Sequence, residues 1–228
     1  MTQLFDTYNE SYRETVQSSI DFSGLPHSFF YAAKADMIRD VVACHFGPRG
    51  RPAALDVGCG IGLFHPFIRD AFSRLAAVDM SAASIAQARQ DNPGIDYRAY
   101  HNAVLPYQDG EFDLAYAMCV MHHVPPAEWP SFMGQMRRVV RPGGLVCVIE
   151  HNPFNPLTQL SVKRCAFDRD AVLLRAGRTE RLMTDAGMQA VASRYFLLLP
   201  SAAAPARRIE RGLARWPLGA QYMTTGRA

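Results

Sequence analysis

Three glycines at alternate positions follow a short apolar run in this sequence. Together they read Leu55-Asp56-Val57-Gly58-Cys59-Gly60-Ile61-Gly62. The apolar run predicts a buried strand and the amphipathic spacing over residues 63–75 predicts a helix, so the glycines occupy a strand-to-helix turn. Open α/β sheets bind their ligands at this edge. Glycine also lets a ligand approach the backbone more closely than a Cβ atom would allow.

A second candidate binding residue follows about 20 residues after the glycines. Residues 75–78 form a short apolar strand that ends in Asp79, and Met80 and Ser81 come next. An acid at this place can accept hydrogen bonds from both hydroxyls of an adenosine ribose. Ser81 already serves as the N-cap of the helix predicted over 82–90, so Asp79 is not needed to cap it. We therefore interpret Asp79 as a ribose ligand.

The pattern D-x-G-x-G-x-G, from Asp56 to Gly62, resembles motif I of the class I S-adenosylmethionine (SAM)-dependent methyltransferases. Three later features match the family in the expected order. These are the acid Asp79, the segment 105–113 with its Asp-Gly turn, and the run Arg138-Val139-Val140-Arg141-Pro142-Gly143-Gly144. The resemblance covers about residues 53–150.

The resemblance implies an α/β fold, with a Rossmann-like sheet of seven strands in the order 3-2-1-4-5-7-6. The seventh strand is antiparallel, and helices cover both faces. We expect a single methyltransferase domain over residues 1–228. It comprises an N-terminal helical cap (1–50), a SAM-binding half (51–150), and a substrate-side insert with the C-terminal strands (151–228). Further strands are predicted at 95–100, 112–119, 145–149, 191–199 and 218–224, and further helices at 4–19, 28–46, 128–140, 178–186 and 207–216.

SAM is the cofactor that the resemblance implies. The expected cofactor-binding residues are Asp56, Gly58, Gly60, Gly62, Asp79, Met80, Asn102, Cys119 and Tyr12. The family has an acid where His101 or Asn102 stands here, and the amide oxygen of Asn102 can accept the adenine amino group instead. Tyr12 belongs to an N-terminal aromatic stripe that we expect to close over the bound cofactor.

Two histidines are candidates for a catalytic base. His151 follows the fifth strand and His123 follows the fourth, so both should stand at the same edge of the sheet. An imidazole can take a hydroxyl proton at neutral pH. We assign the base to His151 with His123 as the second candidate. The alternative is that His151 only hydrogen-bonds its loop, since positioning alone can accelerate methyl transfer.

A metal site is the competing interpretation of the polar residues at this edge. Its candidate ligands are His122, His123, His151, Glu128 and Glu150. They lack the fixed spacing of a metal motif, and the fourth strand ends in Met118-Cys119 without the acid of the metal-dependent catechol-type enzymes. We therefore predict no metal ligand and metal-independent activity.

A basic stripe lies near the carboxyl terminus, where Arg207, Arg211 and Arg215 recur every four residues. Such a stripe is typical of a solvated helix face. The alternative is a site for an anionic substrate or carrier.

Composition limits the class of partner. The 228 residues carry 24 basic and 21 acidic side chains, a net charge of +3, which argues against a dedicated nucleic-acid binder. No run is long enough to span a bilayer, and the first residues lack a signal-peptide core. Five scattered cysteines without a C-x-x-C pair suit a reducing compartment. We expect a soluble, cytoplasmic protein that is a monomer or homodimer.

These observations predict an enzyme that transfers the SAM methyl group to a small or medium-sized acceptor, with oxygen as the expected atom. Three alternatives stay open at this point: a non-catalytic SAM-binding module, methylation at nitrogen or carbon, and a nicotinamide oxidoreductase. The glycine spacing disfavours the oxidoreductase, because dinucleotide folds use G-x-G-x-x-G.

Overall fold

A computed structural model defines the fold and describes residues 17–101, 103–201 and 203–228. Seven strands form one sheet in the order β3-β2-β1-β4-β5-β7-β6. Their bounds are β1 Ala53–Val57, β2 Arg74–Asp79, β3 Asp96–Ala99, β4 Phe112–Met118, β5 Val140–His151, β6 Gln189–Phe196 and β7 Gln221–Arg227. The predicted Rossmann-like α/β class and strand order are confirmed.

The first five strands are parallel, whereas β7 runs antiparallel between β5 and β6. The carboxyl ends of the parallel strands therefore meet at one edge of the sheet. Because β7 runs the opposite way, its first residue reaches that same edge, where Gln221 pairs with His151 of β5. This reversal adds the start of β7 to the five carboxyl ends at that edge.

Seven α-helices lie wholly within the described residues and surround the sheet. They are α1 His27–Phe46, α2 His65–Ile68, α3 Ala82–Asp91, α4 Trp129–Val139, α5 Pro156–Arg164, α6 Ala176–Asp185 and α7 Ala204–Leu213. None of these helices combines the length and the apolar character that crossing a membrane requires.

Two hydrophobic cores lie on opposite faces of the sheet. Along β1, Leu55 and Val57 pack into one core and Ala54 into the other. Met133 and Met136 of α4 fill the first core, and Ile38 of α1 belongs to the second. Burial on both faces explains why the strands are apolar without a clear alternation.

The helix predicted after the glycine turn is wrong in length. Only α2 and a following 3-10 turn, Arg69–Ala71, are helical, and Arg74 already belongs to β2. Strand β2 begins there because Arg74 and Leu75 pair with Ala53 and Ala54 of β1. Pairing along a strand of the sheet overrides the local helical spacing.

The stretch between the predicted helix (128–140) and the predicted strand (145–149) already belongs to β5. The helix ends at Val139 because Val140 is already extended and pairs with Phe112 of β4. Gly143 has φ +76°, yet it lies inside β5 and does not cap the helix. Helix α5 was not among the predicted helices; Asn155 caps its N-terminus by accepting from the amide of Thr158.

The N-terminal cap is described only in part. Helix α1 is confirmed, and residues 17–20 are helical, but most of the first predicted helix, with Tyr12, lies outside the described residues. The arginine stripe of α7 contacts this cap, since Arg207 pairs with Asp36 and Arg211 with Asp40. The stripe therefore joins α7 to α1, while Arg211 and Arg215 are exposed, as the interpretation of a solvated helix face predicts.

Candidate cofactor and acceptor site

A cavity of about 550 Å³ opens at the carboxyl edge of the sheet. Its wall includes eight of the residues predicted for the site: Asp56, Gly58, Gly60, Asp79, Met80, Cys119, His123 and His151. The two proposed functions, cofactor binding and proton abstraction, therefore fall on one continuous cavity. Asn102 and Tyr12 lie outside the described residues.

The three glycines of the turn share a backbone conformation but differ in what surrounds them. All have positive φ, at +83° for Gly58, +53° for Gly60 and +73° for Gly62. A Cβ atom on Gly58 would lie 2.5 Å from the side chain of Val120, and one on Gly62 would lie 2.7 Å from the Tyr97 hydroxyl. A Cβ on Gly60 would meet no protein atom within 4 Å. Only Gly60 therefore leaves space open to a ligand.

Gly62 is absent from the cavity wall, which makes its predicted contact with the cofactor unsupported. It lies under the turn, against Tyr97 and Asn92, and its carbonyl accepts a hydrogen bond from Asn92. The sequence pattern could not separate this glycine from Gly60, because both need a backbone conformation that other residues rarely adopt.

Asp79 ends β2 and holds the glycine turn as well as facing the cavity. Its Oδ2 accepts from the amide of Gly60 at 2.8 Å, and its Oδ1 accepts from the amide of Ser81 at 2.9 Å. Burial raises the pKa of the carboxyl above its usual value of 3.8, although these amides oppose the shift. The acid is thus fixed in place by backbone donors.

Asp56 has internal partners that the sequence did not reveal. Its Oδ2 lies 2.9 Å from Nε2 of His65, whose Nδ1 contacts the hydroxyl of Tyr97. Asp56 and His65 are both buried. These three side chains form a chain of contacts that supports the glycine turn. Any contact of Asp56 with the cofactor would therefore be a second role, in addition to this support.

A chain of charged side chains lies at the other end of the cavity. His122 is buried, with Nδ1 2.6 Å from Oε2 of Glu150 and Nε2 3.4 Å from Oδ1 of Asp168. Burial opposes protonation, but Glu150 and Asp168 outweigh it and hold the pKa of His122 well above its usual 6.5. Burial and the neighbouring His122 lower the pKa of His123 to about 4, so His123 is neutral at neutral pH.

The same chain contains the metal candidate among the described residues. One ligand atom each from His122, His123 and Asp168 lie within 4.8 Å of one another. However, both ring nitrogens of His122 face carboxylates, and a protonated imidazole has no free lone pair for a metal. Metal independence accordingly stays a prediction.

A third group of polar side chains gathers around Cys119 between these two ends. Cys119 has φ +57°, and its sulfur lies 3.6 Å from Nζ of Lys34 and 3.6 Å from Nε2 of Gln221. The same amide nitrogen lies 3.5 Å from Nδ1 of His151. Burial raises the pKa of the Cys119 thiol, but Lys34 and His151 outweigh it and bring the pKa to about 7.

Sequence reasoning missed Lys34, Asp168 and Gln221 as members of the site. Lys34 had a signal, because it lies four residues after Phe30 and four before Ile38, on the apolar face of α1. Asp168 and Gln221 had no such signal. Asp168 comes from a loop, and Gln221 comes from a strand whose direction the local pattern does not specify. Their positions depend on how the chain returns to the sheet.

The residues at the glycine end fit SAM. Gly60 leaves its backbone open to the cavity, as close approach of a ligand requires, and Asp79 offers the acceptor oxygens that ribose hydroxyls need. His122 and Glu150 are buried at the carboxyl ends of β4 and β5, and Asp168 joins them from the 3-10 turn Ala166–Asp168. The cavity wall thus combines the glycine turn with a group of histidines and carboxylates.

Comparison with known proteins supports this reading. Residues 55–148 match the model of a family described as a methyltransferase domain. The chain is 33% identical over 111 residues to a malonyl-[acyl-carrier protein] O-methyltransferase of Pseudescherichia vulneris, covering 47% of this chain and 42% of the relative. It is 36% identical over 135 residues to a ubiquinone biosynthesis O-methyltransferase of Chelativorans sp. (strain BNC1), covering 54% and 52%. The chain spans about half the length of these curated relatives.

A solved structure resembles the whole chain. It is a SAM-dependent methyltransferase, a possible histamine N-methyltransferase, from Thermotoga maritima. The two share a TM-score of 0.73 at 17% identity, over 100% of this chain and 99% of that one. At this identity the likeness concerns the fold. Together with the family match over residues 55–148, it shows that the chain has the fold of the SAM-dependent methyltransferases and that its central strands match their methyltransferase domain.

Proposed function

We propose that this chain transfers the methyl group of SAM to a small or medium-sized acceptor, with oxygen as the methylated atom. The observation that carries the proposal is the single cavity that joins the glycine turn and Asp79 to the histidines at the ends of β4 and β5. The relatives named as O-methyltransferases support the choice of oxygen.

Positioning supplies much of the proposed acceleration. SAM, when bound, provides a methyl group that is already a good electrophile, so the chain has to orient an acceptor atom toward it. Gly58, Gly60 and Asp79 hold the cofactor end. The aromatic wall, with Phe29, Phe30 and Phe132, excludes water from the acceptor end.

His151 is the proposed base for an acceptor hydroxyl, with His123 as the second candidate. Both line the cavity, and Gln221 contacts the His151 ring at 3.5 Å and so orients it. His123 is neutral, but its pKa of about 4 makes it a weak base. The proton moves from the hydroxyl to an imidazole nitrogen as the new O–C bond forms.

The remaining parts of the proposal concern organisation. We propose that residues 1–228 act as one methyltransferase domain, with a cap over residues 1–50, a SAM-binding half over 51–150, and the acceptor side built from 151–228. The partner is a small molecule and not a nucleic acid. A non-catalytic SAM-binding module would bind the cofactor at the glycine turn and Asp79 but would show no turnover. An enzyme that methylates nitrogen or carbon would need no acceptor hydroxyl.

The test is turnover of labelled SAM with a fractionated metabolite extract, with the methylated product identified by mass. Release of S-adenosylhomocysteine (SAH) together with a product heavier by one methyl group, joined through oxygen, is the expected result. SAH that binds without any product in any fraction would make the chain a binding module. A product methylated at nitrogen or carbon would refute the choice of oxygen.

A further inference from the structure

Lys34 places a buried positive charge in the cavity wall. Its side chain projects from α1, the residue is only 6% exposed, and it lines the cavity. Its contacts are the sulfur of Cys119 at 3.6 Å and the ring of Tyr31, whose centroid lies 5.8 Å from Nζ. Among the described residues no carboxylate lies within ion-pair distance of it. Burying an ammonium without an anion is costly, so such a group is normally paired.

Gln221 supplies a second unsatisfied group beside it. Its Nε2 contacts Cys119 and His151, whereas its Oε1 is buried and has no hydrogen-bond partner within the part of the chain that the structure describes. We expect a ligand to donate a hydrogen bond to this oxygen, because buried polar atoms are nearly always hydrogen-bonded. Lys34 and Gln221 converge on the same sulfur, so one small ligand can reach both.

These two groups lie on the acceptor side of the cavity. Cys119, His151 and Gln221 stand at the ends of β4, β5 and β7, whereas the glycine turn and Asp79 stand at the ends of β1 and β2. Neighbouring strands are about 4.8 Å apart, which puts β7 on the order of 14 Å from β1. For Gln221 this separation favours a ligand other than the nucleoside, whereas Cys119, which Lys34 contacts, follows β4 directly beside β1.

We propose that Lys34 and Gln221 form a subsite for an acidic acceptor, a hydroxy acid with an apolar body. This inference rests on the proposed function and names its substrate class. The carboxylate of the acceptor pairs with the Lys34 ammonium, and a nearby hydroxyl donates to Oε1 of Gln221. In this bound state the hydroxyl proton lies on the Gln221 hydrogen bond; as the O–C bond forms, the hydroxyl turns that proton to His151, the proposed base. The rest of the wall, including Phe29, Phe30, Phe132, Leu157 and Leu198, suits an apolar body.

The cofactor's own carboxylate is the other possible source of the anion. The carboxylate of the cofactor would pair with the Lys34 ammonium in the same way, so the experiment has to separate binding of SAH from binding of the acid. The chain offers a matched control, since Lys34 and Lys163 are its only lysines and Lys163 is exposed on α5.

The probes are 2-hydroxybenzoate and 3-hydroxybenzoate, each compared with its uncharged amide, titrated by calorimetry into protein saturated with SAH. In the parent chain at least one acid should bind about tenfold more tightly than its amide. Lys34→Met should abolish that preference and change SAH affinity by less than about threefold, and Lys163→Met should keep it. Gln221→Leu should weaken both members of the preferred pair, because it removes the hydroxyl contact.

Two outcomes would overturn the subsite. The first is that neither acid is preferred in a parent chain that binds SAH, which leaves the proposed function intact. The second is that Lys34→Met weakens SAH tenfold or more, because Lys34 would then serve the cofactor's carboxylate. Failure of the parent chain to bind SAH would count against the proposed function itself.

A second measurement uses the unaltered chain and does not depend on how the variants fold. An anion beside Lys34 neutralises the charge that lowers the pKa of the Cys119 thiol, and it also covers the sulfur. The preferred acid should therefore slow alkylation of Cys119 by iodoacetamide at pH 7 several-fold more than its amide does. Cys44, which is exposed outside this cavity, serves as the internal reference. Equal protection by acid and amide would contradict the pairing with Lys34.

Discussion

Nδ1 of His122 lies 2.6 Å from Oε2 of Glu150, and both side chains are about 1% exposed. The other carboxylate oxygen of Glu150 accepts from the amides of Val120 and Met121. Glu150 of β5 therefore fixes the turn after β4, which carries both His122 and His123. Burial opposes charge on either partner, but the pairing dominates, raising the pKa of His122 and lowering that of Glu150.

Glu150→Gln should destabilise the fold by about 3–5 kcal/mol, because it leaves a buried imidazolium without its strongest partner. Urea unfolding followed by fluorescence measures the change. Glu128→Gln, an exposed glutamate near the same edge, is the control and should shift stability by less than about 0.5 kcal/mol. An equal, small effect in both variants would contradict the pair.

The pH dependence of this pair has a definite sign. The lowered pKa of Glu150 gives stability that is present above its unfolded value of 4.5 and is lost as pH falls through its folded pKa. The raised pKa of His122 gives stability that is present below 6.5 and is lost as pH rises through its folded pKa. The stability difference between parent and Glu150→Gln should therefore be largest between pH 4.5 and 6.5. A difference that keeps growing above that window would be inconsistent with this assignment.

Gly60→Val should fold and lose cofactor binding. A Cβ atom at position 60 meets no protein atom within 4 Å. The free energy of unfolding should therefore fall by only about 1–2 kcal/mol, from the strain of a left-handed backbone. The side chain fills the space proposed for the cofactor, and SAH affinity should fall at least about 100-fold by calorimetry. Gly134→Ala, in α4 with open space around it, is the control. Unchanged SAH affinity in a folded Gly60→Val chain would exclude the glycine end as the site.

Asp79→Ala should weaken SAH by roughly 1.5–3 kcal/mol, or about 10- to 100-fold, through loss of charge-assisted hydrogen bonds to the ribose. The variant also frees the amides of Gly60 and Ser81, so a second ligand separates the two effects. The 2′,3′-dideoxy analogue of SAH should bind the parent weakly and lose little further affinity in Asp79→Ala. An equal loss for both ligands would show that Asp79 only holds the turn.

His151→Ala should lower turnover by ~10²-fold or more while SAH affinity stays within a few-fold. His45→Ala, which removes an imidazole that contacts the carbonyl of Gly143 near the start of β5 and does not line the cavity, is the control and should leave both unchanged. His123→Ala tests the second candidate in the same assay. Turnover of His151→Ala within a few-fold of the parent would make His151 a structural residue.

Chelation should leave turnover unchanged, because the metal candidate formed by His122, His123 and Asp168 contains an imidazole whose ring nitrogens both face carboxylates. Dialysis against EDTA followed by assay with and without added Mg²⁺ is the measurement. Complete loss of turnover that Mg²⁺ restores would refute metal independence.

Much of the fold could be predicted because its signals are local. The apolar runs, the Asp-Gly turn and the Gly-x-Gly-x-Gly pattern each depend on a few neighbouring residues, and their order along the chain is enough to indicate the sheet. Asp79 and Gly60 could be named for the same reason. Helix lengths could not be predicted from local signals. The helix after the glycine turn is short because β2 begins at Arg74, which pairs with Ala53 of β1.

The acceptor end of the cavity was decided only by tertiary structure. The sequence named His123 and His151 there, but the partners that set their charge and orientation are Glu150, Asp168 and Gln221, up to 70 residues away. Gln221 reaches His151 because β7 runs antiparallel beside β5, and Lys34 reaches Cys119 because α1 packs over the sheet. Ionisation and hydrogen bonding depend on distance and burial in space, which no local sequence pattern specifies.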